Sequence, residues 1–297
     1  MADNISLPSV YNDYINYYQK RKQVCQQSIR FLTRALLLFH EYLEERSIEL
    51  NELKIDQIDG FLAKLFHKYK SDSVRLYRSY LRGFLKYLYY ERQMLSQDLS
   101  LLVKARREYS KSKPPKFLRP GEIQKLFAGL KVTSPIEIRT YAIVHLAYAL
   151  GLRPIEISKI TLDDISFREQ LLTIKDRKNC KPYELPIPEH TLKAIAAYII
   201  GARPKSASRN LFVNLPAPHR PINAHRIAKW IKTAMTQVGL LASAYWLRHT
   251  HAQNLLEAGA SIFEIKEMLG HDKIESTKIY LHVHIKLMRE VLFDEKL

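Results

Sequence analysis

Apolar residues recur at spacings of three and four through the first ninety positions and β-branched runs are scarce, the pattern of amphipathic helices. Ile55, Ile58, Phe61, Leu62, Leu65, Phe66 and Tyr69 trace one helical face. A turn is expected at Ser71–Ser73, whose hydroxyls suit a helix start, and beyond it Val74, Tyr77, Leu81, Phe84, Leu85 and Leu88 trace a second face. Each face needs a neighbouring helix to cover it. Residues 1–95 are therefore expected to form an all-helical domain.

The periodicity fades between Ser96 and Pro120. There the run LVKARREYSKSKPPKFLRP sets Lys104, Arg106, Arg107, Lys111, Lys113, Lys116 and Arg119 against one acid, Glu108. Mutual repulsion and Pro114–Pro115 favour a stretched path, so residues 96–118 read as a basic linker. Residues 119–297 read as a second domain. It begins with a short helix at Pro120, whose buried side is Ile123, Leu126, Phe127 and Leu130, and continues with a longer helix through Leu150. A short helix from Pro154 precedes the runs LLTIK and YELPIP, which flank the polar turn DRKNCKP as in a β-hairpin. Helix resumes afterwards, and YWLRHTHAQNLLEAG reads as an amphipathic helix. The fold class is thus mainly α in two domains: an all-helical N-terminal domain, and a mixed α+β, mostly helical second domain with a small antiparallel sheet. The last segment, residues 286–297 (KLMREVLFDEKL), reads as a short amphipathic tail with Leu287, Val291 and Leu292 near one side.

Composition narrows the class of protein. With 297 residues, 46% hydrophobic, nine glycines and thirteen prolines, the chain is neither disordered nor fibrous. Two distant cysteines, Cys25 and Cys180, supply no disulfide framework, which suits a reducing compartment. The stretches Tyr141–Leu152 and Ala194–Ala202 are too short to span a bilayer, and MADNISLPSV lacks the features of a secretory signal. A cytoplasmic, DNA-associated location is expected, with no membrane partner. The formal net charge is +17, and both halves of the chain are net basic, so a polyanion is the leading partner. Arg75, Arg78, Arg82 and Lys86 fall three and four apart on the helix of the second face, a stripe suited either to phosphates or to plain solvation.

Motifs for nucleotide-driven or zinc-hydrolase chemistry are missing: there is no GxxxxGK[ST], no GxGxxG after a strand and no HExxH. His249, His251, His271, His282 and His284 lack partner carboxylates at metal-ligand spacing, and no metal is expected. The remaining chemistry lies in three segments. ALGLRPIEI places Arg153 where a helix ends at Gly151, with Glu156 three residues on, close enough for a charged hydrogen bond. YWLRHTHAQNLLEAG carries Tyr245, Arg248 and His249, and MLGHDKIESTKIYLHVH carries His271 and Tyr280.

In this order and separation, GLRxxE, LRHTxAxxLLExG and LGHxxxxxTxxYxH resemble the tyrosine recombinase (phage integrase) family, in particular its Xer-like and integrase members. The resemblance spans the chain: the helical half is similar to the family's SAM-like core-binding domain and residues 119–297 to its catalytic domain. It implies that Arg153 and Arg248 are the two catalytic arginines, Glu156 a buttressing acid, His271 the second His/Trp position and Tyr280 the nucleophile, with His249 in support. Lys178 matches the catalytic lysine, with Lys175 and Lys181 flanking it. Tyr245 stands where the family usually has histidine, and a phenol with an ordinary pKa near ~10 is the poorer base. The resemblance further implies a double-stranded DNA recombination site as partner, a homo-tetramer on two such sites, possible exchange of the C-terminal tail between subunits, and no cofactor. The basic stripe and Lys104, Arg106, Arg107, Lys111, Lys113 and Lys116 are the expected DNA contacts.

The chemistry is self-consistent. Two guanidinium groups suit the charge that develops on a phosphoryl centre. A phosphotyrosine conserves the energy of the broken phosphodiester, so resealing through a Holliday junction needs no ATP. Taken singly, each residue has a bland alternative: an ion pair at a helix start for Arg153 and Glu156, a packing aromatic for Tyr280. Two rival functions share the pattern, namely a DNA-binding architectural or regulatory protein with a catalytically weakened fold, and relaxation of supercoils in the manner of a type IB topoisomerase.

Overall fold

A computed structural model describes residues 7–22, 24, 26–103, 115–175, 183–270, 274–278 and 280. The chain divides into two units, Met1–Tyr109 and Ser110–Leu297.

The first unit is built from α1 (Ser9–Lys22), α2 (Gln26–Glu44), α3 (Ile55–Lys68) and α4 (Ser71–Tyr90). In α2, Leu32, Leu36, Phe39 and Leu43 recur every three or four residues and are all buried. They meet Ile58, Phe61, Leu62 and Leu65 of α3, while all six apolar positions expected on α4 are buried too. Tyr11 and Tyr14 of α1 pack their rings on Phe84 at 4.8 and 5.2 Å between centroids.

Two details differ from the sequence reading. The turn before α4 lies at Tyr69–Lys70, not Ser71–Ser73. The Lys70 carbonyl accepts from the Ser73 and Val74 N–H groups and starts the ladder, and no side chain caps it, so the serines lie inside the helix. The first unit also extends beyond residue 95. Asp98 accepts from the Ser100 N–H to start a 3₁₀ turn at Leu99–Leu101, and Leu95, Leu99 and Val103 are buried in the helical core. Residues 96–103 thus belong to that unit, with Leu99 and Val103 in its core and Leu101 and Leu102 exposed; they are not stretched linker.

The second unit contains α5 (Pro120–Gly129), α6 (Pro135–Ala149), α7 (Pro154–Lys159), β1 (Ile165–Ser166), β2 (Leu171–Ile174), β3 (Tyr183–Pro186), α8 (Glu189–Gly201), α9 (Ala224–Gln237), α10 (Ala244–Glu257), α11 (Ile262–Leu269) and α12 (Glu275–Lys278). Proline opens α5, α6 and α7, where its missing N–H costs nothing. The sheet runs β1–β2–β3, all antiparallel, with Leu172 opposite both Ile165 and Leu185; the short β1 is an addition to the expected hairpin. Helix α6 is the central element: Ala142, Ile143, Val144, Leu146 and Ala147 are buried around it, with α8, α9 and α10 packed against it.

Helix α10 is not amphipathic as expected. Arg248, Thr250 and Gln253 are buried along with Leu247 and Ala252, because α10 packs against α6, α9 and α11; Arg248 and Thr250 find backbone partners inside. Among the described residues no helix is long and apolar enough to cross a membrane.

Candidate active site

Arg153 precedes α7, and Glu156 lies in that helix's first turn. The Glu156 carboxylate accepts from the Arg153 backbone N–H at 2.7 Å and from its Nη1 at 2.7 Å. The acid closes the helix start and fixes the guanidinium together. Its side chain is 5% exposed against 28% for Arg153, so the arginine reaches outward from a buried anchor.

Arg248, in the second turn of α10, is 3% exposed. Its Nη1 donates to the Gly151 carbonyl at 2.6 Å and its Nη2 to the Leu269 carbonyl, and Nη1 lies 3.7 Å from the second Glu156 oxygen. One carboxylate therefore faces both arginines. Gly151 adopts φ +59°, and a Cβ there would stand 2.7 Å from the His251 ring. Only glycine turns the chain here while leaving its carbonyl on Arg248. Gly270 ends α11 at φ +61°, its carbonyl 3.5 Å from Arg153 Nη2.

Tyr280 is 1% exposed, and its ring packs with Ala252, Ile265 and Leu269. The hydroxyl is not simply buried: it lies 2.8 Å from His249 Nδ1. Burial pushes the phenol pKa up, while the charges of Arg248 and then Arg153 pull it back. Burial, helped by the charge of Arg248, holds the His249 imidazole below its ordinary value. The same two causes push His251 down to about 4.

The structure thus brings Arg153, Glu156, Arg248, His249 and Tyr280 into one cluster. Tyr245, three residues before Arg248 in the first turn of α10, is 52% exposed. Lys175, at the end of β2, pairs with buried Asp164 at 2.5 Å, which raises its pKa. Lys178, Lys181, His271, His282, His284, Lys104, Arg106, Arg107, Lys111, Lys113, both cysteines and the tail 286–297 lie outside the described residues. Among those described, no His, Cys, Asp or Glu group could hold a metal ion.

In the first unit, Arg75, Arg82 and Lys86 are exposed on α4 and line a shallow groove with Ser79, Gly83 and Ser100. Arg78 lines it too but is largely buried, with its guanidinium over the Phe66 ring. Lys116 stands over Trp246 of α10, 5.6 Å from the ring centroid.

Sequence reasoning missed the Gly151 and Leu269 carbonyls, because backbone acceptors leave no mark in a pattern of side chains. It also missed Thr250, whose hydroxyl accepts from the Leu118 N–H and ties the entry of the second unit to α10. The left-handed Gly151 was the one available signal.

Residues 116–286 match the phage integrase family, and residues 11–92 match the phage integrase N-terminal SAM-like domain. The tyrosine recombinase XerC of Anoxybacillus flavithermus is 29% identical over 281 residues, covering 92% of each chain. The tyrosine recombinase XerD of Listeria innocua is 27% identical over 288 residues, covering 94% of this chain and 96% of its own. In fold, the chain resembles the XerH site-specific recombinase in its post-cleavage complex with palindromic difH substrate, at a TM-score of 0.74 and 18% identity, over 95% of this chain and 84% of that one. With a family match over residues 116–286, more than half its length and including this candidate cluster, the chain belongs to the phage integrase family, the tyrosine site-specific recombinases.

Proposed function

We propose that the protein is a site-specific DNA recombinase that cleaves and rejoins DNA through a 3′-phosphotyrosyl intermediate at Tyr280. The observation that carries this reading is a pair of arginines faced by one carboxylate, Glu156, together with a buried Tyr280 hydroxyl that lies 2.8 Å from His249, the residue next to Arg248.

Arg153, partly exposed, binds a non-bridging oxygen of the scissile phosphate. Arg248 supplies a second, deeply held positive charge, worth more there than in water because little solvent screens it. The Tyr280 oxygen attacks phosphorus, and the 5′ oxygen leaves with a proton from a lysine. Because Lys175 pairs with Asp164, Lys178 is the assigned donor, with Lys181 second. His271 adds a hydrogen bond to the phosphate and Tyr245 faces its rim. The freed 5′ hydroxyl of a partner duplex then attacks the phosphotyrosine, and two such exchanges pass through a Holliday junction within a tetramer on two sites, coupled by the C-terminal tails. The energy of the broken bond is kept in the phosphotyrosine, so the cycle consumes no ATP. Arg75, Arg82, Lys86 and Lys116 neutralise phosphates of the duplex, and Lys104, Arg106, Arg107, Lys111 and Lys113 add to the same field.

The test is a nicked duplex whose 5′ fragment diffuses away after cleavage, carrying a site selected by the protein from a randomised duplex pool. The expected product is a covalent adduct at the 3′ end that Tyr280→Phe abolishes. Tight, site-selective binding with no adduct in either form would leave an architectural DNA-binding protein instead.

A further inference from the structure

The family pattern usually places histidine where this chain has Tyr245, yet an imidazole does touch the nucleophile. It is His249, four positions later on α10, whose Nδ1 lies 2.8 Å from the Tyr280 hydroxyl. We propose that His249 is a catalytic residue of this recombinase and takes the proton of Tyr280 during strand cleavage; this rests on the reading of Tyr280 as nucleophile.

A phenol enclosed by Ala252, Ile265 and Leu269 does not ionise readily, since a buried phenolate lacks the water that would stabilise it. A base in hydrogen-bond contact removes that obstacle by taking the proton as the oxygen attacks. His249 is suited to it. Burial and the adjacent Arg248 keep the imidazole neutral, so a ring nitrogen stays free to accept. The charged groups that bear on this pair among the described residues are Arg248 on the same helix and Arg153 at the start of α7, with the Glu156 carboxylate behind both guanidinium groups. The two arginines favour the phenolate and disfavour the imidazolium, so proton transfer is driven by the charge that moves onto the phosphate. In balance, the Tyr280 O–H bond breaks with its proton passing to Nδ1, the tyrosyl O–P bond forms, and the P–O5′ bond breaks as the leaving oxygen receives a lysine proton. Resealing runs the steps backward, and His249 returns the proton to the departing tyrosyl oxygen.

The experiment compares wild type, His249→Asn and His249→Gln on the nicked duplex, with an ordinary phosphodiester or with sulfur at the 5′ bridging position. Asparagine sets an amide oxygen near the Nδ1 position and keeps the contact without accepting a proton. Sulfur leaves without protonation, so it rescues loss of the lysine but not loss of the base. We expect both variants to bind DNA and melt as wild type does, and to form adduct about 10²–10³-fold more slowly on both substrates. Wild type on the sulfur substrate, which needs no variant, is expected to lose rate as pH falls and His249 protonates. Adduct formation by His249→Asn within threefold of wild type, rescue of either variant by sulfur, faster cleavage by the variants, or a pH-independent wild-type rate would each overturn the assignment. Absence of adduct from wild type would instead overturn the reading of Tyr280.

Discussion

The Glu156 carboxylate lies 3.7 Å from the buried Arg248 guanidinium while its other oxygen holds Arg153 at 2.7 Å. A single acid thus sets the spacing of two cations that would otherwise repel each other. Glu156→Gln keeps an acceptor for the Arg153 N–H but removes the charge. It is expected to slow adduct formation about 10–100-fold, by analogy with loss of supporting groups around other charged centres. Glu156→Ala leaves both guanidinium groups without their counter-charge and is expected to cost about 3–5 kcal/mol of stability. Urea unfolding and single-turnover cleavage measure the two effects. Equal rates for Glu156→Gln and wild type would show that the carboxylate only folds the α7 start.

Gly151 couples the backbone to the same arginine. Alanine at φ +59° costs roughly 1–2 kcal/mol from the left-handed conformation alone, and the added Cβ would meet the His251 ring at 2.7 Å. Relief requires moving the loop whose carbonyl holds Arg248. Gly151→Ala is therefore expected to lower the melting temperature and reduce cleavage at least tenfold while non-specific DNA binding stays near wild type. A variant that is destabilised but cleaves normally would show that the Gly151 carbonyl does not position Arg248.

The basic stripe on α4 divides by burial. Arg82 and Lys86 are exposed, so each alanine substitution is expected to weaken binding and reduce the slope of log K against log salt by about one phosphate's share, near ~0.9. Arg78 covers Phe66 from inside. Its loss is expected to appear chiefly as lower stability, with little change in slope. Titrations of a labelled duplex at several salt concentrations separate the cases, and a full unit lost with Arg78→Ala would place it on the DNA.

The helical faces of α3 and α4 were legible because burial imposes a period on the sequence, and Ile58, Phe61, Val74 and Leu85 obey it. The candidate site was legible for a different reason: Arg153, Arg248 and Tyr280 sit in short ordered motifs, of residue types suited to the proposed phosphoryl transfer. What stayed hidden was the support. Arg248 is held by two carbonyls, Gly151 and Leu269, and α10 defeats a reading of faces because Arg248, Thr250 and Gln253 are buried beside its apolar residues. The extent of the first unit is harder to read: Leu95, Leu99 and Val103 keep a spacing of four, but across bends and a 3₁₀ turn rather than a helix, and a basic run follows directly.

His145, on the central helix α6, sets a pH limit on the second unit. It is 5% exposed among Phe127, Tyr141 and His190, with neither ring nitrogen hydrogen-bonded. Burial, and then the charge of His190, push its pKa down from 6.5 to about 4. The unfolded chain therefore takes up the proton first as pH falls. This contribution to stability is fully present above about pH 6.5 and is lost progressively toward pH 4, by at most about 3 kcal/mol at roughly 1.4 kcal/mol per pH unit. His145→Phe fills nearly the same space without a titrating group. Between pH 7 and pH 5 its urea midpoint is expected to fall distinctly less than that of wild type, with the remainder due in part to His251, which shifts in the same direction. Parallel curves for the two proteins would mean that His145 is already neutral in the unfolded chain or charged in the fold, and the buried imidazole would then have no part in acid sensitivity.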